Sequence, residues 1–167
     1  MDTNRLREAY GALLDAATTV LDSGDAGLAP PAGEWDATQI LAHIASVDAG
    51  ILATAYSVAA GTDATYDNTA SLDTTTLDRV AATTGDDAGL RDRIRRQGEV
   101  LCALGETLTE AELDTAVPTL LSSAGVVVVD QSIPLRALVM GLADDHLPRH
   151  TTQLLALSPQ GTLAATA

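Results

Sequence analysis

The chain has 167 residues, enough for one domain that can bury a sizeable core without a disulfide or structural metal to hold it folded. Its 23 Asp and Glu outweigh nine basic residues, all arginine. The formal net charge of -14 excludes nucleic acid and anionic membrane surfaces as partners.

With no Phe, one Trp and 46% hydrophobic residues, the core must be built from Leu, Val, Ile and Ala, which suits close helix packing. The single cysteine, Cys102, cannot form an internal disulfide, and between Leu101 and Leu104 it reads as a small core hydrophobe. No charged segment followed by an apolar run opens the chain, so a cytoplasmic protein is expected. The uncharged stretches around residues 49–62 and 115–129 fall short of the roughly 20 residues a spanning helix requires, and no transmembrane segment is expected.

In chain order, Leu6, Tyr10, Leu13, Leu14, Ala17 and Leu21 recur at helical spacing up to a Ser23-Gly24 stop, which predicts a first helix. A loop from Asp25 to Glu34, with Pro30-Pro31 and Gly33, ends at Trp35. Asp36 is placed to cap a second helix running to about Ala60, with Ile40, Ile44, Val47 and Ile51 as its apolar stripe and His43 at the stripe's edge. Residues 61–86 are rich in Thr, Asp, Gly and Ser and predict a long loop carrying one short helix. A third long helix is expected from Asp87 to Leu108, its Arg91 to Arg96 run forming a solvated face with Asp92–Arg96 and Arg95–Glu99 pairs.

Beyond a short helix start at Thr109, the pattern changes to Val117, Leu120, Leu121 and the β-branched run Val126 to Val129, with Ser122-Ser123-Ala124-Gly125 able to turn a small hairpin. Gln131 or Ser132 then precedes a fourth helix that tolerates Pro134 in its first turn. The tail from about residue 158 reads as frayed. The expected fold is all-α: residues 1–167 as a single four-helix bundle domain with long crossover connections and a small β-hairpin before the last helix. Ala-rich helices with few large side chains also suggest a homodimer.

The fourth helix holds the most informative motif. Leu135, Leu138, Val139 and Leu142 define a stripe that, continued, takes in His146, His150, Gln153, Leu154 and Leu157. Two histidines at i, i+4 offer two ring nitrogens about one turn apart, the spacing needed to present two ligands to one metal ion. Pro148 lies between them and should bend the helix locally, since it cannot donate to the carbonyl of Asp144.

A Trp shortly before helix two, a lone histidine in Ile40-Leu41-Ala42-His43-Ile44 and the terminal His146-x-x-x-His150-x-x-Gln153 together resemble the DinB-like superfamily of metal-binding four-helix bundles. Within it the chain looks nearest to the mycothiol-dependent maleylpyruvate isomerase group. That resemblance implies His43, His146 and His150 as ligands to a divalent metal, zinc or nickel, with Gln153 as a nearby helper. It also implies a transferase or isomerase that uses a metal-bound low-molecular-weight thiol, such as mycothiol, on a small-molecule substrate. Three neutral imidazoles would leave a coordination position open, as catalytic zinc sites do. Asp48, Asp144 and Asp145 are candidates for orienting the imidazoles. Arg149 and Arg136 are local cations that could offset the acidic surface for an anionic substrate. The alternatives are a bundle that binds metal or ligand without turnover, as a sensor, resistance or partner-binding module, and a structural bundle with hydrogen-bonded core histidines.

Overall fold

Asp36, Asp73, Asp86 and Thr109 each accept a hydrogen bond from an amide three residues on, at Gln39, Thr76, Gly89 and Glu112, and so set where four helices begin. At Asp36 and Thr109 the bond is reciprocated by the Gln39 and Glu112 side chains, which completes a capping box. The computed structural model describes residues 1–22, 30 and 33–158. The expected Ser23-Gly24 stop, most of the loop up to Glu34 and the tail after Ser158 lie outside the described residues.

The helices are α1 (Asn4–Leu21), α2 (Ala37–Ala59), α3 (Thr74–Thr84), α4 (Asp87–Thr107), α5 (Glu110–Leu113), α6 (Leu135–Gly141) and α7 (Leu147–Ala156). One turn of π-helix, Leu142–His146, joins α6 to α7. α2 packs against α4, α3 and α1 and also meets α6 and α7, while α1 packs against α7 and α4. Six consecutive α2 residues, Ile40 to Ala45, are buried, so this helix has no solvent face over that stretch. By length and composition alone α2 could cross a membrane, but most of its apolar stretch is spent in this core.

The protein is mostly helical but not all-α. The hairpin expected from the Val126 run forms, as β2 (Ala116–Ser123) paired antiparallel with β3 (Val126–Pro134), and it turns at Ala124-Gly125, both at positive φ. A third strand, β1 (Tyr66–Asp67), pairs parallel with β2 from within the segment expected to be mostly loop. Two residues are too few for a periodic signal, and the partner lies some 50 positions away in the chain. The rest of that segment is a 3₁₀ turn, Thr69–Leu72, and α3. Asn68 clamps the hairpin beside its register shift at Leu121/Ser122, with its amide donating to the Ser122 carbonyl and its oxygen accepting from the Ser122 amide. β3 is an edge strand with Val126, Val127 and Val128 exposed.

Two boundaries differ from expectation. Gln131 and Ser132 do not cap the last helix, because both are paired with β2, and the helix starts only at Leu135, whose amide bonds to the Thr115 carbonyl. The buried stripe also does not continue at α-helical spacing. It steps five residues, from Leu142 to Leu147, where the Leu147 amide reaches back to the Leu142 carbonyl. Pro148 therefore sits in the first turn of α7, where its missing N–H matters least, and the wider turn before it takes up the strain.

Asp48 stands at the centre of this packing with no solvent exposure, and one of its oxygens accepts from the Tyr10 hydroxyl at 2.7 Å. The Tyr10 ring in turn lies so close to Gly98 of α4 that a Cβ there would come within 2.9 Å of it. The second Asp48 oxygen has no hydrogen-bond partner, and burial raises the Asp48 pKa to about 7 despite the Tyr10 bond. A folded-state pKa above the unfolded value means the native protein holds the extra proton. This contribution is fully present below about pH 4 and is lost as pH rises through about 7. Relative to wild type, Asp48→Asn should therefore gain stability as pH rises from 4 to 8, on the order of 3 kcal/mol. Urea melts of both proteins across that range check it, and parallel stability curves would refute it.

Candidate metal centre

His43 enters from the second turn of α2, His146 from the end of the π turn and His150 from α7. Contact between these elements brings the three rings together. Their centroids lie 5.1 Å apart for His43–His146, 4.8 Å for His43–His150 and 4.6 Å for His146–His150, so Pro148 does not splay the pair. One nitrogen from each ring lies within 4.8 Å of the others, an arrangement that could hold a metal ion. Tetrahedral bonds of about 2.0–2.1 Å would bring such nitrogens to roughly 3.4 Å of one another, a closure small ring rotations can supply.

Hydrogen bonds decide which nitrogen is free. His43 Nδ1 donates to the Ser71 carbonyl at 2.7 Å, and His150 Nδ1 donates to the Gln153 side-chain oxygen at 2.8 Å. Both bonds leave the Nε2 lone pair available. His146 Nε2 is buried and has no hydrogen-bond partner among the described residues. A buried nitrogen without a partner among the described residues, beside two imidazoles oriented by neutral acceptors, is a donor set that could hold a metal ion.

All three rings are held neutral. Burial is the main cause in each case, taking His43 down to about 4, His146 well below the ordinary histidine value and His150 below it. The Arg149 guanidinium pushes each of them the same way, as do the neighbouring imidazoles for His43 and His146. Trp35 covers the cluster, its ring centroid 4.7 Å from His43 and 6.5 Å from His150.

The cluster opens into a cavity of about 930 Å³, at the upper end of the range for small-molecule sites. Val47, Ile51, Leu72, Leu121 and Leu138 supply apolar wall, and Tyr66, Asn68 and the Ser122–Gly125 turn close another side. The charged residues lining it, among those described, are Glu34, Asp145 and Arg149.

Other candidates from the sequence fall elsewhere. Asp48 does not orient an imidazole: five residues after His43 on a helix, it points about 140° away, toward Tyr10. Asp144 pairs with exposed Arg5 at 2.5 Å, and Asp145, at the cavity's edge, pairs with Arg149 at 3.4 Å; neither carboxylate bonds to an imidazole. Arg136 is held by Glu110 and Asp114 and does not line the cavity. Cys102 is buried in the core. The orienting groups are instead Ser71, through a main-chain carbonyl that has no sequence signature, and Gln153.

Comparison with protein families, with characterised proteins and with solved structures finds no match. In metal-free protein, ¹⁵N NMR should show His43 still neutral, with its proton on Nδ1, at pH 5.5, where an ordinary histidine is mostly charged. A charged His43 at that pH would mean that the ring is not buried as described.

Proposed function

We propose that this protein is a divalent-metal enzyme of the DinB-like, thiol-dependent type, with its long helices arranged as that superfamily's four-helix bundle. His43, His146 and His150 are the ligands, and the reaction is transfer or isomerisation on a small molecule. The carrying observation is that three imidazoles from separate elements meet at a cavity, one of them with a buried nitrogen that has no partner among the described residues.

The chain's own residues supply position and environment. Ser71 and Gln153 fix two rings with their Nε2 lone pairs free. Burial together with Arg149 keeps the rings unprotonated and therefore able to act as donors. Trp35 and the apolar wall limit water near the cluster, which strengthens electrostatic interactions there. The bound ion would supply Lewis acidity and lower the pKa of a coordinated low-molecular-weight thiol such as mycothiol, so the nucleophile can come from outside the chain. Cys102 is in the core and takes no part.

A lined, partly polar cavity beside the cluster favours a small-molecule site over a structural bundle whose histidines are sealed by Leu and Val.

Replacing His150 with Ala should weaken divalent metal binding by about 100-fold or more while the helical circular dichroism is kept, because the core does not depend on the metal. Cys102→Ala should leave metal content unchanged. Metal stoichiometry and circular dichroism on the purified variants at neutral pH check both outcomes. A full equivalent of metal retained by the His150 variant would sink the three-histidine site. For the thiol step, the cobalt-loaded protein should develop thiolate-to-metal absorption on addition of 2-mercaptoethanol, and an unchanged spectrum would count against it.

A further inference from the structure

The cavity's charge inventory points to what occupies it. Among the described residues, its lining carries one arginine, Arg149, against two acids, Glu34 and Asp145. Some of the neutral polar groups in the lining are already committed, while the Tyr66, Ser122 and Ser123 hydroxyls remain as uncharged donors. Both ends of the Asn68 side chain are bonded to Ser122, the Gln153 oxygen accepts from His150, and the Thr152 hydroxyl donates to the Pro148 carbonyl.

Arg149 is different. Among the described residues its one ion pair, with Asp145, is 3.4 Å long, and both side chains are more than half exposed. An exposed i, i+4 pair of that length contributes little to stability, so a ligand can displace it readily. Its charge is near enough to act on all three imidazoles. A guanidinium offers a planar fork that matches a carboxylate. In the metal-free cavity a second negative charge on the ligand would meet Glu34 and Asp145 with no further cation among the described lining residues to balance it, in a chain of net charge -14. The remaining wall, from Val47, Ile51, Leu72, Leu121 and Leu138, is apolar.

We propose that Arg149 anchors a single carboxylate at the cavity mouth, and that the preferred ligand is an amphipathic monocarboxylate whose apolar body lies along the wall toward the three histidines. This rests on reading the cavity as a small-molecule site, but it does not require the metal. Neither a dianion nor a neutral molecule of the same size fits as well, the first because of the two acids and the second because it leaves the guanidinium unused.

Trp35, the single Trp, borders the cavity and serves as its own reporter. Its fluorescence is titrated in chelator-treated protein with hexanoate, hexanamide and adipate, in wild type and in Arg149→Gln, Arg149→Lys and Arg136→Gln. Hexanoate should bind wild type at least about tenfold more tightly than either hexanamide or adipate. Arg149→Gln should abolish that preference and Arg149→Lys restore it in part. Arg136→Gln should leave it intact, since Arg136 lies on its own ion pairs outside the cavity.

Equal binding of acid and amide, an Arg149→Gln variant that behaves as wild type, or no response to hexanoate in the millimolar range would each overturn the proposal. Zinc binding measured in parallel separates this from the metal reading. Arg149-dependent hexanoate binding by a protein that takes no zinc keeps the anchor and removes the metal centre. Full zinc binding with no acid preference does the reverse.

Discussion

Three imidazoles buried side by side constrain everything around them, because desolvation disfavours a second, charging proton on each ring. Both hydrogen-bond acceptors that orient the rings are neutral, a main-chain carbonyl at Ser71 and an amide oxygen at Gln153. Neutral acceptors fix the tautomer without drawing the imidazole toward its charged form, as a carboxylate would. The guanidinium of Arg149 works in the same direction from the cavity mouth. The cluster is therefore held as a set of free bases facing a cavity.

The backbone solves a packing problem to put them there. A proline within the last helix would be costly in an unbroken α-helix, where its ring meets the carbonyl four residues back. The π turn from Leu142 to His146 shifts the helix by one residue just before Pro148, so the stripe Leu135, Leu138, Leu142 and the stripe Leu147, His150, Leu154 both face inward. His146 falls at the junction, half-buried and turned toward the cavity rather than into the stripe. On the other side of the site, α2 is buried on all faces around His43, and this fixes that ring as firmly as the core fixes Ile40 and Ile44.

The small sheet belongs to the site as well as to the fold. β1 and the 3₁₀ turn after it bring the Ser71 carbonyl to His43, and Asn68 between them binds the hairpin at Ser122. The connection between α2 and α3 thus links a histidine on the central helix to the hairpin that closes the cavity. Asp48 and Tyr10 anchor the opposite face of α2 by a separate buried contact with α1.

Much of this was legible in the residues. The caps at Asp36 and Thr109, the spans of α1, α2 and α4, the hairpin at Ser122 to Gly125 and the inward bias of His146 and His150 all follow from local chemistry, since caps, turns and helical periodicity act over a few residues. A resemblance resting on the Trp35, His43 and His146-x-x-x-His150 positions named three ligand candidates, and those rings do meet. Only the tertiary structure decided what depends on distant pairs: β1 on β2, Ser71 behind His43, Trp35 over the rings and Asp48 bonded to Tyr10 instead of to a histidine. The π turn was hidden for a related reason. The local sequence signals the proline but not where the helix will yield to it, and that is settled by which residues the surrounding helices require on the buried side.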